Sequence, residues 1–364
     1  MYKYLITINP LGVLYGSAGA FLSPENLVGS SNAKFPPDAY TLSGLFFAAN
    51  KVKPFTDHEE LKKLHVAGPF WAGLDDPEYF YLPIPWTKIV NAEKNRADEW
   101  EIRNNKWYRK YQDEYIRDGE ERAKIEPDCR WQKVNYWNDS AEQILKNDGG
   151  ARDPWAYTPV LHPKLLKNER CVDQNESYAQ KKGGLFLENC VQMGYGEEGD
   201  ETCLVYLSTH PIPNGWYCFG GESHLVEITS LQLSENSSII NMLKEKIQRS
   251  FALITPGVWG SNRFSRRYPD SEQTTFPKPS HILTDRPLPY RYRIGNNRGG
   301  GRLGRGRYAV PSGTVYVFEE PLNKSWWGDD NESAFPDEWF PHEGFSLRQL
   351  GCGLCLPLTV IGID

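Results

Sequence analysis

Apolar and polar positions set out a chain of short strands interrupted by few helices. Tyr2-Lys-Tyr-Leu-Ile-Thr-Ile8 is β-branched and aromatic and reads as a first strand. Gly12–Gly29 is rich in Gly, Ser and Pro and reads as a loop. Phe35–Asn50 reads as a helix with a proline-marked start, capped by Asp38 or Thr41. A second helix is expected at Asp57–His65. Glu78–Pro85 is strand-like, its prolines marking an edge or a strand end. Gly184–Met193 and Thr202–Ser208 read as two strands joined by a turn at Gly194–Glu201. His224–Thr229 follows as another strand. Asn236–Phe251 carries Ile239, Ile240, Leu243, Ile247 and Phe251 at helical spacing. Thr314–Phe318 and Leu354–Ile363 complete the strands. Strands separated by single helices predict an α+β fold, and no internal repeat is visible.

Residues 96–133 break this pattern. Lys, Arg, Asp and Glu there nearly cancel, around Trp100, Trp107, Tyr108, Tyr111, Tyr115 and Trp131. The spacing suits an amphipathic helical insertion. It is either a solvated surface element or an arm that reaches along a nucleic acid.

The composition changes this picture little. Of 364 residues 39% are hydrophobic and 24% charged, which suits a globular chain with a sizeable core. The Trp 12, Tyr 20 and Phe 16 suit either core packing or stacking on bases and sugars. The N-terminal segment lacks the apolar run and cleavage site of a secretory signal. No apolar run is long enough to span a bilayer. The seven cysteines are odd in number and scattered, so reduced thiols in a cytoplasm are expected.

Charge changes more. The formal net charge is −6, yet Arg286–Phe318 holds seven arginines and no acid, leaving about −13 on the rest of the chain. The basic stretch is Arg286-Pro-Leu-Pro-Tyr-Arg-Tyr-Arg-Ile-Gly-Asn-Asn-Arg-Gly-Gly-Gly-Arg-Leu-Gly-Arg-Gly-Arg307. Its glycines let backbone N–H groups approach a phosphate, and arginine adds a planar fork for phosphate oxygens. The candidate contacts are Arg291, Arg293, Arg298, Arg302, Arg305 and Arg307, with Tyr290 and Tyr292 as stacking faces. The alternative is a solvated surface loop. A second patch, Arg263-Phe-Ser-Arg-Arg267, offers Arg263, Arg266 and Arg267 beside Phe264 and Trp259.

The catalytic motifs are weak. Gly299-Gly-Gly301-Arg-Leu-Gly304 fits a dinucleotide loop formally but lacks a strand before it and a βαβ frame. Cys352-Gly-Leu-Cys355 has no second cysteine pair at a zinc spacing and reads as buried thiols. No metal or cofactor is expected. The histidines show no metal-ligand spacing. His210 and His224, flanking Gly220-Gly221, are the two that a metal-independent ribonuclease could use.

Several segments then stand in one order. They are Pro37–Ala48 with Thr41-Leu-Ser-Gly44, Tyr81-Leu-Pro-Ile-Pro85, Gly184-Leu-Phe-Leu-Glu188, Phe219-Gly-Gly-Glu222, Leu253-Ile-Thr-Pro-Gly257 and Val310-Pro-Ser-Gly-Thr-Val-Tyr316. Together they resemble the third-subunit family of the type III-B CRISPR effector (Cmr) complex, the crRNA 5′-tag-binding group of the RAMP superfamily. The chain departs from the family at Ser223-His224, where an arginine is common, so that arginine's role is not carried over. The aromatic block 96–137 is longer than the family's, which leaves a related type III subtype open.

The resemblance implies two ferredoxin-like (RRM-type) domains with long insertions. The first would span 1–229 with an insertion near 93–180, the second 230–364 with the Arg/Gly loop 286–307. It implies a non-catalytic subunit of an antiviral ribonucleoprotein that grips the 5′ repeat-derived tag of the crRNA. The implied partners are the large polymerase-like subunit, the adjacent backbone RAMP subunit and, indirectly, the target RNA. Gly220, Gly221 and Tyr15 join the arginines as RNA-binding candidates. The competing readings are a RAMP endoribonuclease that trims precursor crRNA and a carbohydrate-binding protein. The arginine-rich stretch disfavours the latter.

Overall fold

The computed structural model describes residues 1–15, 35–110, 125–163, 185–194, 201–220, 223–260, 264–270, 272–295, 302–328 and 333–363. The N-terminal part begins with β1 (Tyr4–Pro10), β2 (Leu14–Tyr15), α1 (Ala39–Val52), α2 (His58–Leu61), β3 (Val66–Gly73) and β4 (Tyr81–Pro83). It continues with β5 (Lys88–Asn91), β6 (Arg96–Arg103), β7 (Lys106–Arg109), β8 (Trp131–Lys133), α3 (Ala141–Lys146) and β9 (Gly150–Ala151). β10 (Trp155–Pro163), β11 (Leu185–Met193), β12 (Thr202–Ser208), β13 (Gly215–Phe219) and β14 (His224–Gln232) follow. The C-terminal part holds α4 (Ser238–Lys244), β15 (Ser250–Leu253), β16 (Trp259–Gly260), β17 (Ser265–Arg266), β18 (His281–Leu283) and β19 (Leu288–Tyr290). It ends with β20 (Arg293–Ile294), β21 (Arg302–Leu303), β22 (Arg307–Ala309), β23 (Val315–Val317) and β24 (Cys355–Pro357). Mixed α/β architecture with sheets dominating is the result. Among the described residues no helix is long and apolar enough to cross a membrane.

Two sheets carry the molecule. The larger has the order β13-β14-β1-β12-β3-β4-β8-β9, and the smaller β18-β23-β15-β24. Period-2 alternation divides the larger sheet between two cores. Ile6, Ile8, Leu204 and Tyr206 face α1, where Leu42 and Phe46 meet them. Leu5, Phe70, Val205 and Leu207 face the other way, onto α4 and the smaller sheet, where Ile239, Leu243, Phe251, Tyr316 and Leu356 complete one core. β12 is therefore buried at every position. Residues of 1–229 and of 230–364 share this second core.

Four expectations need correction. Asp38 occupies the N-cap position of α1, but its carboxylate makes no cap hydrogen bond to the helix. Asp57 does cap α2, accepting from the amides of Glu59 and Glu60. The Asn236–Phe251 helix stops at Lys244. Ile247 instead bridges Lys324, and Phe251 lies in β15, whose four residues are all buried. An apolar run that passes from helix to interior strand keeps an i, i+4 spacing by coincidence, so periodicity alone overshoots.

As far as residue 109 the block from 96 is a hairpin, β6-β7, that adds to β5 as a three-stranded ribbon. Asn104 (φ 49°) and Asn105 (φ 60°) both sit in the left-handed region and turn the β6–β7 hairpin. Asp98 and Arg109 form a buried ion pair at 2.8 Å, and the Ile102 amide donates to the Ile361 carbonyl at 2.9 Å. This part is docked on the body rather than solvated. The expected β11–β12 hairpin is also absent. β11 pairs with β10 and β2, while β12 pairs with β1 and β3.

Candidate nucleic-acid interface

The arginine-rich stretch folds as a two-stage ribbon. β19 pairs with β22 (Leu288↔Ala309, Tyr290↔Arg307), and β20 pairs with β21 (Arg293↔Leu303, Ile294↔Arg302). Strand alternation gives its first stage two unlike faces.

The inner face is locked. Tyr290 (3% exposed) and Tyr292 (4% exposed) sit in a small core with Val258, Ala309, Leu347, Leu350 and Cys352, and Tyr40 of α1 packs on both rings. The two tyrosines are anchors and not the stacking faces expected of them. Tyr290 Oη and Cys352 Sγ share a hydrogen bond at 3.0 Å. Burial pushes both phenols well above their ordinary range, and Glu343 raises Tyr292 further. The Tyr292 hydroxyl donates to Glu343, whose carboxylate also ion-pairs with Arg307 at 2.6 Å. Arg307 is 6% exposed, so its charge is spent inside the fold, against the expectation of a phosphate contact. Arg291 Nε donates to the Gly304 carbonyl at 2.9 Å, and the Gly304 amide donates to the Tyr292 carbonyl at 2.8 Å. A Cβ on Gly304 would meet that carbonyl at 3.0 Å, so glycine allows the close approach.

The remaining described arginines of the ribbon lie at the surface. Arg293, Arg302 and Arg305 are exposed, and Arg291 is half-buried. Arg298 lies outside the described residues.

The second arginine patch lies beside this ribbon. β16 and β17 pair through Trp259↔Arg266 and Gly260↔Ser265, and the Tyr308 amide of β22 donates to Ser265 Oγ at 2.9 Å. Trp259 is buried, its Nε1 donating to Tyr316 Oη at 3.1 Å, so it belongs to the core. Arg266 is about half exposed and pairs with Asp270 at 2.8 Å, and Arg267 is exposed. Arg263 lies outside the described residues. The fold thus joins two patches separated in sequence.

The glycine candidates lie on the larger sheet. Gly220 (φ 77°) follows β13, the edge strand, and opens the turn into β14; Gly221 lies outside the described residues. Gly12 is exposed beside that turn, since the Leu11 amide donates to the Leu225 carbonyl at 3.2 Å. Tyr15 pairs with Cys190 in β2, and its side chain is not described.

His210 is half-buried, its Nδ1 2.9 Å from Thr209 Oγ1, and burial lowers its pKa. His224 opens β14 opposite Phe219. Cys352 and Cys355 are buried, and burial raises the Cys355 thiol well above its ordinary value. Among the described residues no cluster of three His, Cys, Asp or Glu could hold a metal ion.

Sequence reasoning missed Glu343, which lies far along the chain from the ribbon it locks. It also missed Tyr308, 59% exposed between two buried neighbours. The alternation of Arg307-Tyr308-Ala309 carries that signal once β22 is recognised.

No family model matches the chain, and no curated protein matches it. Solved structures do. A chain of the type III-B Cmr-beta complex bound to cognate target RNA has TM-score 0.44 and 12% identity, covering 86% of both chains. The same complex with target RNA and AMPPnP gives TM-score 0.44 and 10% identity, again over 86% of each chain. A chain of the Csm3–Csm4 subcomplex of a type III-A CRISPR–Cas interference complex gives TM-score 0.32 and 10% identity, over 86% of this chain and 92% of that one.

Proposed function

We propose that this chain is a non-catalytic RNA-binding subunit of a type III CRISPR effector. In this reading it grips the 5′ repeat-derived tag of the crRNA and contacts the large polymerase-like subunit and a neighbouring backbone subunit. The ordered segments from Pro37 to Tyr316 support the family, and the arginine ribbon supports the activity.

Strand order supports the ferredoxin-like part of the reading. Each main sheet sets its first and third strands side by side, with the second beyond the third and the fourth beyond the first. The orders are β3-β12-β1-β14 and β18-β23-β15-β24. That is the order of a split β-α-β unit. In the larger sheet α1 lies between the first and second strands, and β13 stands where the second helix would be.

The observation that carries the reading is a ribbon locked on one face with its exposed arginines held at fixed places. Its inner face is locked by Tyr290, Tyr292 and the Arg307–Glu343 pair. Beyond that face Arg293, Arg302 and Arg305 are exposed, Arg293 on the Leu303 side and Arg302 on the Ile294 side of β20–β21, and Arg266 and Arg267 lie on the segment bonded to β22, on an otherwise acidic chain. A locked ribbon presents charge at little entropic cost, and an acidic body limits adhesion elsewhere. Filter binding of a labelled single-stranded tag RNA tests it. Arg293→Gln/Arg302→Gln/Arg305→Gln weakens binding by at least about tenfold with the fold intact. Equal affinity would remove this ribbon from the interface.

A further inference from the structure

We infer that Phe264 and Tyr308 form a stacking platform for unpaired nucleobases. This rests on the RNA-binding reading and narrows it to single-stranded RNA at this place. Among the described residues four aromatic rings are at least half exposed: Tyr79, Trp216, Phe264 and Tyr308. Two of the four lie beside arginines: Phe264 immediately precedes β17, and Tyr308 lies in β22. The Tyr308 amide donates to Ser265 Oγ at 2.9 Å, which ties the side chain of the residue after Phe264 to Tyr308.

Backbone geometry turns Tyr308 outward and holds the Phe264 main chain close to β16. Arg307 and Ala309 are buried, so alternation along β22 turns Tyr308 to solvent. Gly260 (φ 95°) seats the other strand. A Cβ there would come within 2.3 Å of the Phe264 carbonyl, so only glycine lets β16 approach so closely. The rings stand at 68% and 59% exposure; Phe264 shortly precedes the exposed Arg266 and Arg267 in the chain, and Tyr308 lies on the ribbon that carries the other exposed arginines.

Single-strand binding uses this pairing: cations follow the phosphates while aromatic faces take successive bases, whatever their identity. A duplex hides its base faces and cannot use them. Trp216, the most exposed ring, makes the contrast. It lies on the edge strand of the larger sheet opposite the acid Glu227, a poor setting for a polyanion.

The test compares a labelled single-stranded oligouridine with an abasic ribose-phosphate oligomer of equal length. Phe264→Ala/Tyr308→Ala weakens oligouridine binding about tenfold or more, leaves the salt slope and the abasic affinity unchanged, and Phe264→Trp/Tyr308→Trp retains the wild-type preference. Wild-type oligouridine affinity in the alanine variant overturns the platform while leaving the RNA reading standing. Equal loss on both oligomers also overturns it, since the rings then serve the fold. Intact RNA binding with loss of a copurifying protein overturns it by giving the rings to a protein partner. A wild-type chain that binds neither oligomer overturns the platform and the RNA reading together.

Discussion

Arg307 shows how far a residue's role depends on residues distant in the chain. In sequence it is the last of seven arginines. In the fold it is buried against Glu343, which also accepts from Tyr292. Removing one partner of a buried pair strands the other charge, at roughly 3–5 kcal/mol. Glu343→Ala and Arg307→Ala should each lower urea stability by about that much, and the Glu343→Leu/Arg307→Met double variant should recover a large part of it. Additive losses would show that the two side chains do not depend on each other. His65 gives a pH prediction. Burial, then Arg348 and the N-terminal ammonium, lower its pKa from 6.5 to about 4. Above pH 6.5 the imidazole is neutral in both states, and its contribution is fully present. As pH falls from 6.5 towards 4, the unfolded chain takes up a proton that the folded chain refuses, so stability drops. Between pH 7 and pH 5 that loss is about 2 kcal/mol. His65→Leu should lose correspondingly less over the same interval in urea titrations. An identical pH dependence would contradict the assignment.

At the scale of elements, legibility followed burial pattern and failed where two periodicities met. β1, β14 and β23 were readable because alternation or β-branched runs stand alone there. The stretch from Asn236 to Phe251 was half readable, since Ile239, Ile240 and Leu243 are helical while Phe251 continues the spacing inside a strand. The charged block from 96 was misread because its alternating Trp and charged residues also suit a helix. The Asn104-Asn105 pair was the hairpin signal. The β11–β12 hairpin failed for a non-local reason, because partner choice between sheets depends on β1 and β3. The candidate site was legible as charge and not as geometry. Which arginines face out is decided by Tyr40, Leu347 and Glu343, none of them near the ribbon in sequence.

At the scale of the whole molecule, the face of the larger sheet that meets α4 has no cover without the second sheet. Leu5, Phe70, Val205 and Leu207 would stand open if residues 230–364 were removed. Residues 1–229 alone should therefore show no cooperative urea transition and should associate, because the exposed apolar face is large. A cooperative, monomeric 1–229 would show that the shared core is not needed for its folding. The same packing fixes the ribbon onto α1 through Tyr40, so charge is presented by a body and not by a free tail. The central claim is that the exposed arginines of this ribbon meet RNA phosphates. The most direct measurement is the slope of log affinity against log salt for single-stranded tag RNA, in wild type and in Arg293→Gln/Arg302→Gln/Arg305→Gln. The account predicts a slope shallower by about 2 in the variant, from roughly 0.7 for each phosphate that the three arginines no longer neutralise. An unchanged slope, with affinity unchanged, would contradict it.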